Sequence, residues 1–267
     1  MTGAPELALW QVAVAAALIL INGLVSLGFG LGLEKKLGIA SLRTLVQLSV
    51  LGLVLVPVFR LANPWLVLAM SAIMVALASR EALARSDRRF AGAWGHVTVA
   101  LLVGCGGSAV LGSAVIVRAD PWWTPQVAIP FLGMLLGNSL TGVSLGLART
   151  LELLDDRRDR VEARLALGAT WWEAARPVAS EALRVAMVPI LNAMSAVGLV
   201  TIPGMMTGQI LGGTDPVLAS RYQIVILFLI AASVTVSSLI AVLAALWHAF
   251  DRQHRLRPER IRRVSPP

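Results

Sequence analysis

The chain's longest polar interruption, Arg149 to Arg184, centres on Glu162-Ala163-Arg164-Leu165-Ala166-Leu167-Gly168-Ala169. With helical periodicity, apolar residues at spacings of four, four and three share one face: Val161, Leu165, Ala169 and Trp172. The opposite side carries Arg160, Arg164 and Trp171. Gly168 permits the helix to end or bend. The stretch therefore predicts a short amphipathic helix on a loop, ending near Trp171-Trp172, with Pro177 stopping any helix beyond it.

Two roles suit such a helix. Glu-Ala followed by Gly five residues after the Ala resembles the coupling loop of ABC-transporter permeases, where a short helix fits a groove on a separate ATPase subunit. This resemblance implies an ATPase contact through Glu162, Ala163, Leu165, Gly168, Ala169, Trp171 and Trp172. Arg and Trp equally suit a helix that lies in the membrane interface. The stretch alone leaves both roles open.

The composition narrows the class of protein. Hydrophobic residues make up 57% of the 267 residues, charged residues make up 14%, and the mean hydropathy is +0.77. A soluble domain carries roughly 25% charged residues. We therefore predict an all-α, polytopic integral membrane protein, with room for about six to eight helical spans. The single cysteine, Cys105, excludes an intramolecular disulfide and is interpreted as a small packing residue.

Seven apolar segments predict about seven transmembrane helices: Leu7–Gly28, Ala40–Phe59, Pro64–Ser79, Trp94–Val117, Pro125–Leu147, Val185–Leu211 and Tyr222–Phe250. Basic residues gather in the loops after the first, third, fifth and seventh segments, which include Lys35 and Lys36. The positive-inside rule places these loops in the cytoplasm, with the N-terminus outside and the C-terminus inside.

The same charge pattern divides the chain into two parts. Residues 1–250 form a transmembrane domain with a cytoplasmic loop at 149–184, and residues 251–267 form a basic cytoplasmic tail that we expect to be disordered. The net charge of +8 is then an orientation signal. No nucleic-acid partner is predicted, and the lipid bilayer is the expected surrounding.

The charged residues also bear on the energy source. None of the 15 acidic residues lies inside a segment, which argues against a proton- or sodium-driven carrier. The two lysines, Lys35 and Lys36, stand outside any G-x-x-x-x-G-K-[ST] loop. The chain is therefore predicted to have no catalytic residues and to bind no cofactor itself. If transport is ATP-driven, Mg-ATP binds a separate subunit.

Polar groups within the segments are candidates for a substrate path. Arg43 and Gln47 lie one turn apart, although Arg43 could also snorkel to the membrane surface. Asn138 and Ser139 add hydrogen-bonding groups to the fifth segment. Two G-x-x-x-G pairs in that segment suit either packing within one subunit or a dimer face: Gly133/Gly137 and Gly142/Gly146.

The sixth segment contains a mid-segment break. Pro203-Gly204 predicts a kinked or unwound helix, and broken helices mark substrate sites in many transporters, although a plain kink stays open. Further candidates around the break are Asn192, Met194, Met205, Met206 and Gln209. Their thioether and amide groups could hold a metal ion in passage, or the methionines could fill the core. No metal ligand set is assigned.

Several of these motifs together resemble the FetB (YbbM) family of ABC permeases: Arg43 to Gln47, Gly137-Asn138-Ser139, Glu162 to Ala169, Asn192, Pro203 to Gln209, Asp215-Pro216 and Tyr222-Gln223. The resemblance covers nearly the whole chain. It implies a cell-membrane permease, present as two copies with two separate ATPase subunits.

The resemblance also bears on substrate. The family includes a bacterial iron exporter and plant relatives linked to aluminium tolerance, for which nucleotide-sugar transport was proposed. It therefore implies a metal ion, with iron export first, and leaves the substrate and the direction open. An alternative of another class is a non-transporting membrane scaffold or sensor that binds a cytoplasmic partner through the basic loops.

Overall fold

The computed structural model describes residues 8–86, 88–251 and 253–263, and most of them lie in helices. The helices are α1 (Leu9–Gly28), α2 (Glu34–Leu61), α3 (Pro64–Ala84), α4 (Ala93–Leu101), α5 (Gly107–Val110), α6 (Pro125–Asp156), α7 (Arg158–Ala166), α8 (Trp171–Ala196), α9 (Gly204–Leu211) and α10 (Pro216–Ala249). The π-helical stretch Leu102–Gly106 joins α4 to α5, and a second one, Leu111–Ile116, continues the same rod after α5. A 3-10 turn covers Pro258–Arg260, and the short strands β1 (Arg88–Phe90) and β2 (Ile261–Arg263) pair antiparallel.

Six helices of the described part are long and apolar enough to cross a membrane: Trp10–Gly28, Glu34–Leu61, Pro64–Ala84, Ala93–Ile116, Pro125–Asp156 and Pro216–Ala249. The chain is thus a helical, multi-pass membrane protein. The count of seven spans and the orientation of the termini stay predictions. Leu7, the predicted start of the first segment, lies outside the described residues.

The central helix of the bundle is α6, which contacts α3, α8 and α10. A Cβ on Gly142 would lie 2.7 Å from Cγ1 of Val234 on α10 and 3.2 Å from the carbonyl oxygen of Ala186 on α8. A Cβ on Gly146 would lie 3.2 Å from the Cβ of Ala186. This G-x-x-x-G pair therefore serves packing within the chain. A Cβ on Gly137, which belongs to the other pair, would meet no neighbouring atom within 4 Å.

The first two helices form a flanking hairpin that leaves most of its side chains exposed. α2 joins the bundle near its C-terminal end, where Val58 packs with Val67 and Ile129. Lys35 and Lys36 lie within the first turn of α2, so the loop predicted before Ala40 is shorter than expected. The helix starts early because Glu34 and the two lysines are good helix formers.

The predicted sixth segment, Val185–Leu211, is two helices instead of one. α8 ends at Ala196, Gly198 takes a positive φ of 80°, and Val197 bridges to Thr201. The break therefore precedes Pro203, which is the N-cap of the eight-residue α9. A glycine that can adopt the left-handed region ends a helix more readily than the proline that comes after it.

One end of the bundle carries β1, α7 and β2, and we call it the basic end. Phe90 of β1 pairs with Ile261 of β2, and the Phe90 ring lies 5.1 Å from that of His248 on α10. The tail expected to be disordered therefore contains a folded stretch, residues 253–263, because a strand edge on a distant loop is available to it. Residues 252 and 264–267 of the predicted tail lie outside the described part.

Candidate functional site

The predicted amphipathic helix is α7, and its apolar face packs onto the bundle at the basic end. Val161 is 3% exposed and shares a core with Leu154 of α6 and Val178 of α8. Leu165 packs against the same core, whereas Ala163 and Arg164 are exposed. Glu162 is held by Arg158, with Nε 2.7 Å from Oε1. The helix therefore presents a polar, partly basic ridge away from the membrane helices.

The end of α7 differs from the prediction. α7 ends at Ala166, Gly168 takes a φ of 91°, and Thr170 caps α8, which begins at Trp171. Thr170 and Glu173 form a capping box, in which the Thr170 backbone N–H donates to Glu173 Oε2 over 2.8 Å. This box starts a new helix and lowers the pKa of the Glu173 carboxyl through the Thr170 N–H.

Two further expectations fail with that boundary. Pro177 lies inside α8 instead of stopping it, on the exposed side of the helix, where the loss of one backbone hydrogen bond is tolerated. Trp171 faces inward, with its ring 6.0 Å from Phe250, and Trp172 is exposed. Their predicted sides are reversed because the helix phase changes at Gly168. Ala169 is half-buried beside them.

A carboxylate on α8 ties the base of α7 to the bundle. Glu181 accepts a hydrogen bond from Arg149 of α6, and its Oε2 lies 2.7 Å from Nη1 of Arg157, the N-cap of α7. The hydrogen bond from Arg149 is the main cause of a pKa of Glu181 below its ordinary value, and Arg157 adds to it. This cluster was not predicted from the sequence, where its signal was one acid between Arg176 and Arg184.

The two asparagines predicted for the substrate path lie on the same face of the α6–α8 pair. Asn138 precedes Arg149 by eleven residues, and Asn192 comes eleven residues after Glu181. Eleven residues are about three helical turns, so each asparagine shares a face with its partner in the Arg149–Glu181 ion pair. Because α6 and α8 are antiparallel, both lie at one depth, about 16 Å from that pair. Both are exposed, and Asn138 Nδ2 donates to the Met134 carbonyl over 2.9 Å.

The residues around the helix break have mixed surroundings. Met194 and Met205 pack against the main core, and Met206 and Pro203 are half-buried. Gly204 is the exposed first residue of α9. Gln209 on α9 has a buried Oε1 without a hydrogen-bond donor among the described residues. A buried acceptor of this kind is costly unless another group satisfies it.

Arg43 and Gln47 are not brought to this face. Both lie on the exposed part of α2, about 17 to 22 Å along the helix from Val58, where α2 joins the bundle. In the described part of the chain, no hydrogen bond or ion pair links either residue to Asn138 or Asn192.

Ser139 points to the buried side of α6, away from Asn138. Its hydroxyl lies 2.9 Å from that of Ser233, which in turn lies 3.2 Å from the Cys105 sulfur. Ser237 closes this cluster 3.9 Å from the same sulfur. Cys105 is thus a packing residue with hydroxyl neighbours, at a point where the π-helical stretch Leu102–Gly106 meets α6 and α10.

The comparisons with known proteins decide the family. The sequence matches the profile of the Uncharacterised protein family (UPF0014) over residues 9–250. The chain belongs to this family.

The chain is also similar over most of its length to proteins from a range of organisms, including the following three. A UPF0014 membrane protein of Synechocystis sp. is 40% identical over 228 residues, which cover 85% of this chain and 87% of that protein. The probable iron export permease protein FetB of Escherichia coli is 29% identical over 246 residues, covering 92% and 93%. The protein ALUMINUM SENSITIVE 3 of Arabidopsis thaliana is 32% identical over 228 residues, covering 85% and 82%. No solved structure matches the chain.

The UPF0014 match includes α7, the Glu181 cluster and both asparagines, and it ends at Phe250. The tail that pairs with β1 lies beyond it. The resemblance to the FetB family is therefore confirmed, and the folded tail is a feature that this match does not include.

Proposed function

We propose that this chain is the membrane-spanning permease subunit of an ABC transporter and that two copies work with two separate ATPase subunits. One observation carries the proposal: α7 packs on the bundle at the basic end with its polar ridge outward, and it is tied through Arg157 and Glu181 to the helix pair that bears Asn138 and Asn192. A short helix presented in this way suits a groove on a partner. The polar ridge of α7 and the face that bears the asparagines then move together.

The mechanism uses this link between α7 and α8. Closure of the ATPase subunits on Mg-ATP pushes α7, and the Glu181 ion pairs pass the movement to α8. α8 then tilts relative to α6 and opens the asparagine face to one side of the membrane or the other, as alternating access requires. We propose that nucleotide binds the partner subunit alone, because the two lysines of this chain stand outside any P-loop motif.

The open face of α6 supports a paired assembly. Gly137, Asn138 and the half-buried Thr141 interrupt an apolar helix surface. Asn138 Nδ2 is satisfied by the Met134 carbonyl, whereas the amide oxygen would find no donor in lipid hydrocarbon. If this face of α6 met the same face of a second copy, the polar residues of the two copies would enclose a polar path. The Gln209 oxygen, which has no donor among the described residues, offers a further acceptor near the helix break.

The substrate we propose is a metal ion, with iron export the first activity to test, because FetB of Escherichia coli carries the name of a probable iron export permease. Amide oxygens suit Fe(II), whereas thioethers favour softer ions, so the methionines are proposed as packing residues and the asparagines as contacts.

The experiment is affinity purification of the tagged chain from detergent-solubilised native membranes, followed by metal-dependent ATPase assays. We expect a P-loop ATPase in equal amount, whose ATP hydrolysis rises with Fe(II) and becomes insensitive to it in the Glu162→Lys variant. Recovery of the chain alone, from membranes that contain the candidate ATPase, would overturn the proposal and favour the scaffold alternative.

A further inference from the structure

The tail folds into a turn that is built around one carboxylate. Asp251 Oδ1 accepts hydrogen bonds from the backbone N–H groups of Gln253 and Arg255, each over 2.9 Å, and Oδ2 accepts one from Arg257 Nε over 2.9 Å. The Arg255 N–H is the main reason that the pKa of the Asp251 carboxyl lies below its ordinary value. The chain therefore reverses direction directly after α10.

This turn is fixed to the same core as α7. Leu256 is buried in one cluster with Val161 and Phe250. Arg260 Nη1 donates to the carbonyl oxygens of His248 and Phe250 over 3.2 and 3.1 Å, which satisfies the end of α10. With β2 also paired to β1, the tail holds a defined position beside α7.

A notch of about 410 Å³ opens between α7 and the tail. Its lining residues come from both sides: Glu162, Leu165 and Ala169, then Gln253, His254, Arg255 and Leu256. The backbone N–H of Trp171 donates to His254 Nδ1 over 3.3 Å. In this tautomer the other ring nitrogen of His254 carries the proton and can donate. The notch thus combines an apolar floor with donor groups at its rim.

The rim offers one positive charge that is free to meet a partner. Arg255 is exposed and has no carboxylate within 4.0 Å among the residues of 8–86, 88–251 and 253–263, whereas Arg160 and Arg164 lie on the side of α7 that faces away from the notch. Glu162, the acid in the notch, is already paired with Arg158. A complementary partner therefore brings an acidic side chain with apolar neighbours.

We infer that the ATPase subunit docks on α7 and the tail together and that an acidic side chain on its docking edge enters the notch beside Arg255. The inference rests on the proposed function and adds a second contact to it. Because this contact lies beyond the UPF0014 match, which ends at residue 250, it restricts the chain to an ATPase that carries the matching acid.

The test is recovery of the P-loop ATPase that copurifies with the unaltered full-length chain, measured by quantitative mass spectrometry per copy of the chain. Arg255→Glu should lower the recovery about tenfold, and Arg255→Gln should lower it less, because reversal adds repulsion to the lost attraction. Arg262→Glu is the matched control, since Arg262 is an exposed tail arginine outside the notch. Elution as a single symmetric peak in detergent verifies that each variant is folded.

Each outcome has one meaning. Loss with both Arg255 variants and retention with Arg262→Glu supports the notch. Equal recovery with Arg255→Glu and the unaltered chain overturns it and leaves the permease proposal standing, as does equal loss with Arg255→Glu and Arg262→Glu. If the unaltered chain retrieves no ATPase, the proposed function fails and this inference with it.

Discussion

Arg157 Nη1 and Glu181 Oε2 lie 2.7 Å apart, so the residue that begins α7 is joined to a point about three turns into α8. The two helices are also consecutive in the chain, with Leu167 to Thr170 between them. α7 is therefore attached to α8 at both of its ends. Such a helix cannot move without carrying the first turns of α8.

Removal of the shared carboxylate should loosen this attachment. In Glu181→Gln, Arg157 loses its charged partner and Arg149 keeps only Glu152, so trypsin should cut after Arg157 or Arg158 severalfold faster than in the unaltered chain. The digest is monitored by mass spectrometry in detergent. Glu152→Gln is the control, because it removes an ion pair within α6 alone. Equal cleavage rates in both variants would remove Glu181 from this role.

The contact of the π-helical stretch with α10 should be intolerant of a single methyl group. A Cβ on Gly104 would lie 2.1 Å from Ser237 Oγ and 3.0 Å from the Ser233 carbonyl oxygen, so α10 has to shift. Overpacking of this kind costs about 1–3 kcal/mol. We expect a lower Tm by tryptophan fluorescence for Gly104→Ala and no loss for Gly107→Ala, which has nothing within 4 Å. Similar Tm values for the two variants would contradict the close approach.

Acid should release the tail. The pKa of Asp251 is lower in the folded tail than in the unfolded chain, so its stabilisation is complete above the unfolded value and is lost as the pH falls through the folded one. A nitroxide on Gln253→Cys should therefore gain mobility in electron paramagnetic resonance spectra on the acid side of about pH 4. Cys105 is fully buried and should not take the label.

The control for this titration is the same label with Asp251→Asn. It should be mobile at neutral pH, since the charge that holds Arg257 is absent, and should change less with acid. A label that stays equally immobile in acid and at neutral pH would show that Asp251 does not hold the tail.

The asparagine pair can be tested by proximity. With Cys105→Ala as background, Asn138→Cys and Asn192→Cys should be joined by a short bifunctional thiosulfonate, because both positions share a face and a depth. After trypsin digestion, α6 and α8 fragments should then migrate together until a reductant is added. Asn138→Cys with Leu199→Cys is the control, since Leu199 is exposed beyond the end of α8. Absence of joined fragments in the first variant would contradict the shared face.

Local signals in the sequence predicted much of this architecture. Six of the seven long apolar runs correspond to the six helices that could cross a membrane, and the spacing of Val161 and Leu165 predicted the buried face of α7. The end of α7 was misplaced although its signal is local, since Thr170-x-x-Glu173 is a capping box. Gly198 was likewise a better marker of the helix break than Pro203.

Other features depend on residues far apart in the chain. Arg149, Arg157 and Glu181 come together through the packing of α6, α7 and α8, which no single periodicity reveals. The basic composition of the tail suggested disorder because charge dominates it, whereas Leu256 and Ile261 supply the few apolar contacts that fold it. The position of Asn138 opposite Asn192 likewise requires the register of two helices.

The pairing of Phe90 with Ile261 joins two positions that lie 171 residues apart in the chain. The sheet that they form has two strands of three residues each. During translation β1 is synthesised before all the helices from α4 onward, and its partner β2 is synthesised only after them. The basic end is thus closed by a segment that is made after all the helices of the bundle. A chain that stops before Ile261 leaves the edge of β1 without the strand that covers it.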